Sequence, residues 1–282
     1  MDEKPVKPLS PSRAKQFKDC QLLYRYRSID FLPEPPSAAA VRGNLVHLVL
    51  ERMFDHSADT RTFEFVSTHF DDAFEDLMRE NPTFAPAIDS SIEWQPDTTW
   101  EVADISASAR ESFIADSRAL LKKYFALENP QSLEPAHREH PLVSSTSDGT
   151  LIHGIIDRIE INDSGAIRIS DYKTGKSPHP RFRDNAWFQL LFYALLVEKE
   201  LGTLPAQLQL LYLGDGQRLS YTPSRSDIEA VDAQISEIAS QIKTATEHRI
   251  FDPRPSKLCD YCHHQQHCPA KGGNLLPWPT ER

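Results

Sequence analysis

Residues 150–175 read TLIHGIIDRIEINDSGAIRISDYKTG. Two β-branched runs, 150–161 and 166–173, flank the turn formers Asn162, Asp163, Ser164 and Gly165, so the stretch reads as an antiparallel hairpin. A three-residue loop at 163–165 ending in glycine is a common hairpin form, and Gly165 supplies the positive φ it needs. Folded over that loop, paired positions sum to about 328, which sets Asp157 facing Asp171 within about one residue. Lys173 follows on the same face as Asp171, because strand side chains alternate. Like charges directly opposite destabilise a hairpin, and one carboxylate is forced towards protonation. A divalent cation removes the conflict, and hard oxygen ligands suit Mg²⁺ or Mn²⁺. The plain alternative is a solvated hairpin in which Asp157 pairs with Arg158 or Lys173, worth less than about 1 kcal/mol.

Around the hairpin the pattern is helices first and a mixed sheet after. Ser10-Pro11 reads as an N-cap with proline at the first helical position, opening a short helix through Arg13, Phe17 and Cys20. Leu45, Leu48, Val49 and Met53 recur at helical spacing in a helix from about Ala38 to Phe54, where Gly43 and His47 sit one turn apart. Residues 61–80 read as one amphipathic helix, 81–100 as an irregular connection, and 101–127 as a longer helix. Residues 136–143 read as a strand ahead of the hairpin. After the hairpin come a helix over 186–201, a strand over 207–213, an edge strand over 218–222, and a helix to about His248 opened by a capping box from Ser226 to Glu229. The order predicts an α/β fold with a mixed central β-sheet flanked by helices. It divides into an N-terminal helical region (1–130), a sheet-bearing core (131–250) and a C-terminal cysteine segment and tail (251–282), all one integrated domain.

The bulk composition excludes several classes. The chain has 282 residues, 39% of them hydrophobic, with a net charge of −10. It has the apolar residues for a packed core, and its charge is unlike that of a uniformly basic DNA coat, though compatible with a local basic groove. No apolar run is long enough to span a membrane, and the N-terminus lacks a secretory h-region, so a cytoplasmic location is expected. The 4 cysteines are Cys20 and the cluster Cys259, Cys262 and Cys268. Disulfides are not expected in a reducing compartment. The C-x₂-C spacing suits a metal centre, with Cys20 as the fourth thiolate or with His263, His264 or His267 completing a zinc site.

Four short motifs occur in order: G-x-x-x-H at Gly43–His47, G-x-x-D at Gly154–Asp157, D-Y-K-T-G at Asp171–Gly175, and Q-x-x-x-Y at Gln189–Tyr193. Together they resemble the PD-(D/E)XK nuclease superfamily, and specifically the RecB-type exonuclease branch that includes the AddB nuclease domain and the CRISPR-associated exonucleases with a cysteine cluster. The resemblance implies a restriction-endonuclease-like core and metal-dependent hydrolysis of DNA phosphodiesters, in repair or recombination. It assigns Asp157 and Asp171 as metal-binding carboxylates and Lys173 as the catalytic lysine. It makes His47 the helix-borne histidine that completes the metal site, and the Tyr172 backbone carbonyl a further ligand. Gln189 and Tyr193, at i and i+4 on one helix face, contact DNA or position the site. One cysteine before the nuclease motifs and three after them is the arrangement of the cluster-bearing members, which makes a [4Fe–4S] cluster on Cys20, Cys259, Cys262 and Cys268 the first expectation and Zn²⁺ the alternative.

Substrate contacts are expected from two basic runs. Tyr24, Arg25, Tyr26 and Arg27 alternate aromatics with arginines, a pattern suited to base stacking and phosphate pairing. Lys176, Arg181 and Arg183 follow the D-Y-K-T-G strand and are placed to grip phosphates. Single-stranded DNA or a DNA end is the favoured substrate. No G-x-x-x-x-G-K-[ST] motif occurs, so a helicase motor would be a separate chain. Two rival readings are a non-catalytic DNA-binding or scaffold module that keeps the cysteine site, and a zinc-stapled interaction protein with a fortuitous hairpin.

Overall fold

The computed structural model describes residues 8–279. Strands β1 (His137–Ser145), β2 (Leu151–Ile161), β3 (Ile167–Lys173), β4 (Gln207–Tyr212) and β5 (Gln217–Tyr221) form one sheet in that spatial order. All neighbours are antiparallel except β3 and β4, which run parallel and are joined by helix α8 (Asp184–Leu201). The expected mixed α/β architecture is therefore the observed one.

The β1–β2 and β2–β3 hairpins turn on the same device. Thr146 N–H donates to Thr150 O across Ser147-Asp148-Gly149, and Asn162 N–H donates to Ala166 O across Asp163-Ser164-Gly165. Gly149 and Gly165 have φ of +88° and +80°, a region costly for residues with a Cβ. The loops fix the registers Arg158↔Ser170 between β2 and β3 and Arg138↔Arg158 between β1 and β2. The first register is the one predicted from loop length. However, β3 pairs only with Arg158–Ile161 of β2. Beyond that rung the two strands part, and Leu9 fills the vacated edge by donating to Leu151 O and accepting from His153 N–H.

Apolar residues cover both faces of the sheet. One layer packs Ile152, Ile156, Ile169, Leu208 and Leu210 against α1 (Pro11–Asp19), α2 (Gln21–Ser28), α8 and α9 (Arg225–His248). The other packs Tyr172, Leu211 and Leu213 against α3 (Ala38–Met53), α4 (Phe63–Ser67), α5 (Phe70–Glu80), α6 (Ala85–Ile88) and α7 (Ala107–Leu127). Strand β4 is buried on both sides from Leu208 to Tyr212, and the one polar side chain in that stretch, Gln209, donates to Glu128 Oε1 at 2.8 Å.

Several boundaries differ from expectation. The first helix stops at Asp19 because Cys20 is extended (φ −164°), and α2 starts afresh at Gln21. The stretch 61–80 splits in two. At the break, Thr68 Oγ1 and His69 Nδ1 bond the Phe65 carbonyl, local bonds that compete with the helical ladder. Helix α7 begins at Ala107, capped by Ser106, and the 81–100 connection contains α6. The capping box of α9 is Ser224 with Asp227, not Ser226 with Glu229: Asp227 N–H donates to Ser224 Oγ at 3.2 Å, and Ser224 N–H donates to Asp227 Oδ2 at 2.8 Å. No helix among the described residues is long and apolar enough to cross a membrane.

Candidate active site

The parting of β2 and β3 leaves an opening at the strand ends, and the chemically active side chains gather there. Asp157 lies on β2 just past the last shared rung and is 8% exposed. Its Oδ2 accepts the Tyr172 amide N–H at 2.7 Å, a donor that a full β2–β3 ladder would have consumed. Asp171 is 1% exposed, and its Oδ2 lies 2.6 Å from Lys173 Nζ. Asp157 therefore does not pair with Arg158, which turns to Glu128 and Glu160 instead.

Helix α8 brings the next two groups. Lys173 Nζ donates to Gln189 Oε1 at 3.0 Å, while Gln189 Nε2 donates to Asp171 Oδ1 at 3.2 Å and to the Tyr193 hydroxyl at 2.9 Å. One amide thus holds the carboxylate, the amine and a phenol in a single chain. The approach of α8 depends on Gly154, where an added Cβ would come within 2.8 Å of Tyr193 Cε1.

Helix α3 supplies His47, which is half-buried. Its Nε2 donates to the Tyr172 carbonyl at 3.1 Å; its Nδ1 lies 3.4 Å from Glu139 Oε1 and 3.6 Å from Asp157 Oδ2. Glu139 is the residue that the sequence reading missed. It sits on the edge strand β1 with φ of +39°, an unusual conformation for a residue with a side chain. His47, Glu139 and Asp157 offer ligand atoms all within 4.8 Å of one another, a mixed imidazole–carboxylate set that fits a hard divalent cation. Asp171, expected as a direct ligand, has its Oδ2 beside Lys173 and accepts from Gln189 on Oδ1.

The electrostatics match a site short of positive charge. Burial and the neighbouring Asp171 carboxylate push Asp157 well above the usual carboxylate range, against the pull of His47. Burial alone would lower His47, but Asp157, Glu139 and Asp171 outweigh it and lift the imidazole to about 9. Burial likewise works against the Lys173 ammonium, yet Asp171 and Asp157 raise it.

The four cysteines converge elsewhere, on one cavity lined by Cys20, Cys259, Cys262 and Cys268 together with Tyr26 and Pro253. All four are free thiols. Arg254 N–H donates to Cys20 Sγ at 3.4 Å and Ser256 N–H to Cys259 Sγ at 3.3 Å, the backbone pattern that suits thiolate ligands. His264 is committed otherwise: its Nε2 lies 2.5 Å from Glu34 Oε1.

The first basic run is a correction. Tyr24, Arg25 and Tyr26 are each no more than 3% exposed and present no face to a DNA strand. Tyr24 packs on Phe17 and Phe251 and accepts from Arg13. Arg25 pairs with Asp30 and donates to the carbonyls of Leu276 and Pro277 beneath Trp278. Tyr26 donates to the His267 carbonyl, and Arg27 is held by Glu34 at 2.6 Å. These residues tie α2 to the C-terminal segment. In the second run Lys176 and Arg181 are exposed and Arg183 is half-buried, all between β3 and α8.

The family model for the PD-(D/E)XK nuclease superfamily matches residues 8–269. Among solved structures, the "Putative exonuclease" from Eubacterium rectale aligns over 97% of this chain and 91% of its own, with 11% identity and a TM-score of 0.56, a likeness of fold. The structure of SSO0001 aligns over 58% of this chain and 73% of its own, with 21% identity and a TM-score of 0.36. No curated protein matches the chain.

Proposed function

The chain belongs to the PD-(D/E)XK nuclease superfamily, and from that premise we propose that it is a Mg²⁺- or Mn²⁺-dependent deoxyribonuclease of the RecB type, acting on single-stranded DNA or DNA ends in repair or recombination. The observation that carries this reading is the convergence of His47, Glu139 and Asp157 within 4.8 Å, beside the Asp171–Lys173 pair.

In this reading His47, Glu139 and Asp157 would hold the divalent ion, together with Asp171 and the Tyr172 carbonyl. The bound ion supplies Lewis-acid polarisation and a water of lowered pKa. Asp157 is kept in place by the Tyr172 amide. Lys173 brings its ammonium to the scissile phosphate, where it stabilises developing negative charge. Gln189 fixes the direction of that ammonium and of the Asp171 carboxylate. Lys176, Arg181 and Arg183 supply phosphate contacts near the opening, and a helicase would act as a separate chain.

The cysteine site takes a [4Fe–4S] cluster in the same reading. Four thiols from both ends of the chain line one cavity, and the backbone donates to two of their sulfurs. The role is structural, because hydrolysis needs no electron carrier.

Incubating the protein with end-labelled single-stranded DNA in Mn²⁺, with and without EDTA, tests the activity. Metal-dependent cleavage that disappears in Asp171→Ala and Lys173→Ala while DNA binding persists is the expected result. Undiminished cleavage by the double variant would remove the site assignment.

A further inference from the structure

We propose that Arg158 is a positioning residue for the metal site, acting through the side chain of Tyr172; the inference rests on the metal-site reading above. Residues 171–173 of β3 pair with β4 on one side, Asp171↔Leu210 through Lys173↔Tyr212, but have no β2 rung on the other. The segment that carries Asp171 and Lys173 is thus tethered by backbone on one edge only. Tyr172 supplies the missing hold. Its amide N–H goes to Asp157, its carbonyl accepts from His47, and its ring meets the His47 ring edge-on at 5.7 Å. Both main-chain polar groups of Tyr172 therefore lie in the site, and their direction depends on where the phenol is anchored.

The anchor is Arg158, on the last rung that β2 shares with β3. It is fully buried, and its Nη1 donates to the Tyr172 hydroxyl at 2.7 Å. A guanidinium cannot shed its charge, so burying it requires acceptors for every N–H. Arg158 has them: Glu128 in a two-point contact at 2.8 and 3.0 Å, Glu160 at 2.7 Å, Ser170 Oγ at 3.3 Å and the Tyr124 hydroxyl at 3.3 Å. Gln209 and Arg168 brace the two glutamates in turn, at 2.8 and 3.1 Å. A network with this many fixed directions leaves the phenol of Tyr172 one seat. Outer partners that orient a ligand in this way change metal affinity without touching the metal.

Tyr124 provides a comparison. Its hydroxyl accepts from the same guanidinium nitrogen and its ring meets that of Tyr172 edge-on at 5.7 Å, but its backbone is on α7 and carries no group of the site. Tyr172→Phe and Tyr124→Phe each delete one phenolic oxygen from the same donor. Mn²⁺ affinity is measured by calorimetry on the DNA-free protein, and cleavage is measured as a function of Mn²⁺ concentration. Tyr172→Phe is expected to weaken Mn²⁺ binding by about tenfold, with cleavage recovering at saturating Mn²⁺, while Tyr124→Phe lowers thermal stability and leaves Mn²⁺ affinity at the parent value. An Mn²⁺ affinity of Tyr172→Phe equal to that of a normally binding parent protein would overturn the positioning role alone. A parent protein that binds no Mn²⁺ would overturn the metal-site reading and the positioning role with it. Arg158→Lys, which keeps the charge but loses the fork, is expected to follow Tyr172→Phe.

Discussion

His47 Nδ1 lies 3.4 Å from Glu139 Oε1, joining a helix of the N-terminal region to the edge strand of the sheet. If both hold the same ion, removing the Glu139 charge while keeping its shape should cost metal and little else. Glu139→Gln is expected to weaken Mn²⁺ binding by at least about tenfold, read by calorimetry, with the thermal midpoint nearly unchanged.

Lys173 sits between Asp171 and Gln189. Lys173→Met keeps the length of the side chain and removes its charge. Cleavage at saturating Mn²⁺ is expected to fall about 100- to 1,000-fold, while Mn²⁺ affinity holds or rises because a competing cation is gone. Gln189→Leu should give a smaller loss of the same kind, read in single-turnover assays.

The metal-free site is protonated where a ligand would need to be bare. His47 is lifted to about 9, and burial beside Asp171 raises Asp157. Metal binding must therefore expel protons, so affinity should increase as pH rises from about 6 to about 9 and flatten above that. Mn²⁺ titrations in buffers of different ionisation enthalpy would report the released protons directly. A flat pH profile would contradict the ligand set.

Gly214 follows β4 and meets the turn after Lys173, donating its N–H to Gly175 O at 3.0 Å. A Cβ there would lie 2.4 Å from the Gly175 carbonyl carbon and oxygen, and neither is a side chain that can move aside. Gly214→Ala is expected to destabilise the fold by about 1–3 kcal/mol in urea unfolding. Because the pressure falls on the strand end carrying Lys173, cleavage should drop even at temperatures where the variant stays folded.

Cys20 reaches the thiol cavity from the start of α2, and the other three cysteines reach it from beyond α9. Cys20→Ser should abolish the brown visible absorption of a purified iron–sulfur form and expose the segment after Phe251 to limited proteolysis. A colourless parent protein containing zinc would replace iron–sulfur with zinc at this site.

The legibility of the site in the sequence followed the loops. The Asp163-Ser164-Gly165 loop gave the β2–β3 register and so brought Asp157 to Asp171. The same reasoning applied to Ser147-Asp148-Gly149 would have set Glu139 opposite Asp157 and found the third ligand; the observed pairs Arg138↔Arg158 and His140↔Ile156 bracket that position. It was hidden because residues 137–141 carry no apolar alternation to mark the strand's faces, and the φ of +39° at Glu139 leaves no trace in the sequence. Tyr24 and Arg25 misled for a different reason. An arginine between aromatics looks the same whether it meets a phosphate or a pair of main-chain carbonyls, and only the distant segment 276–278 decides which. Arg158 was legible as a charge on a strand but not as a buried one, since its acceptors come from α7, β2 and β3.

Leu9 closes the flank of β2 that β3 abandons, with one bond given to Leu151 and one taken from His153. The separation beside the candidate site would otherwise leave a bare template for any passing extended peptide. A shortened chain starting after Leu9 should therefore self-associate through that flank, so the stretch around Leu9 guards the protein against its own copies.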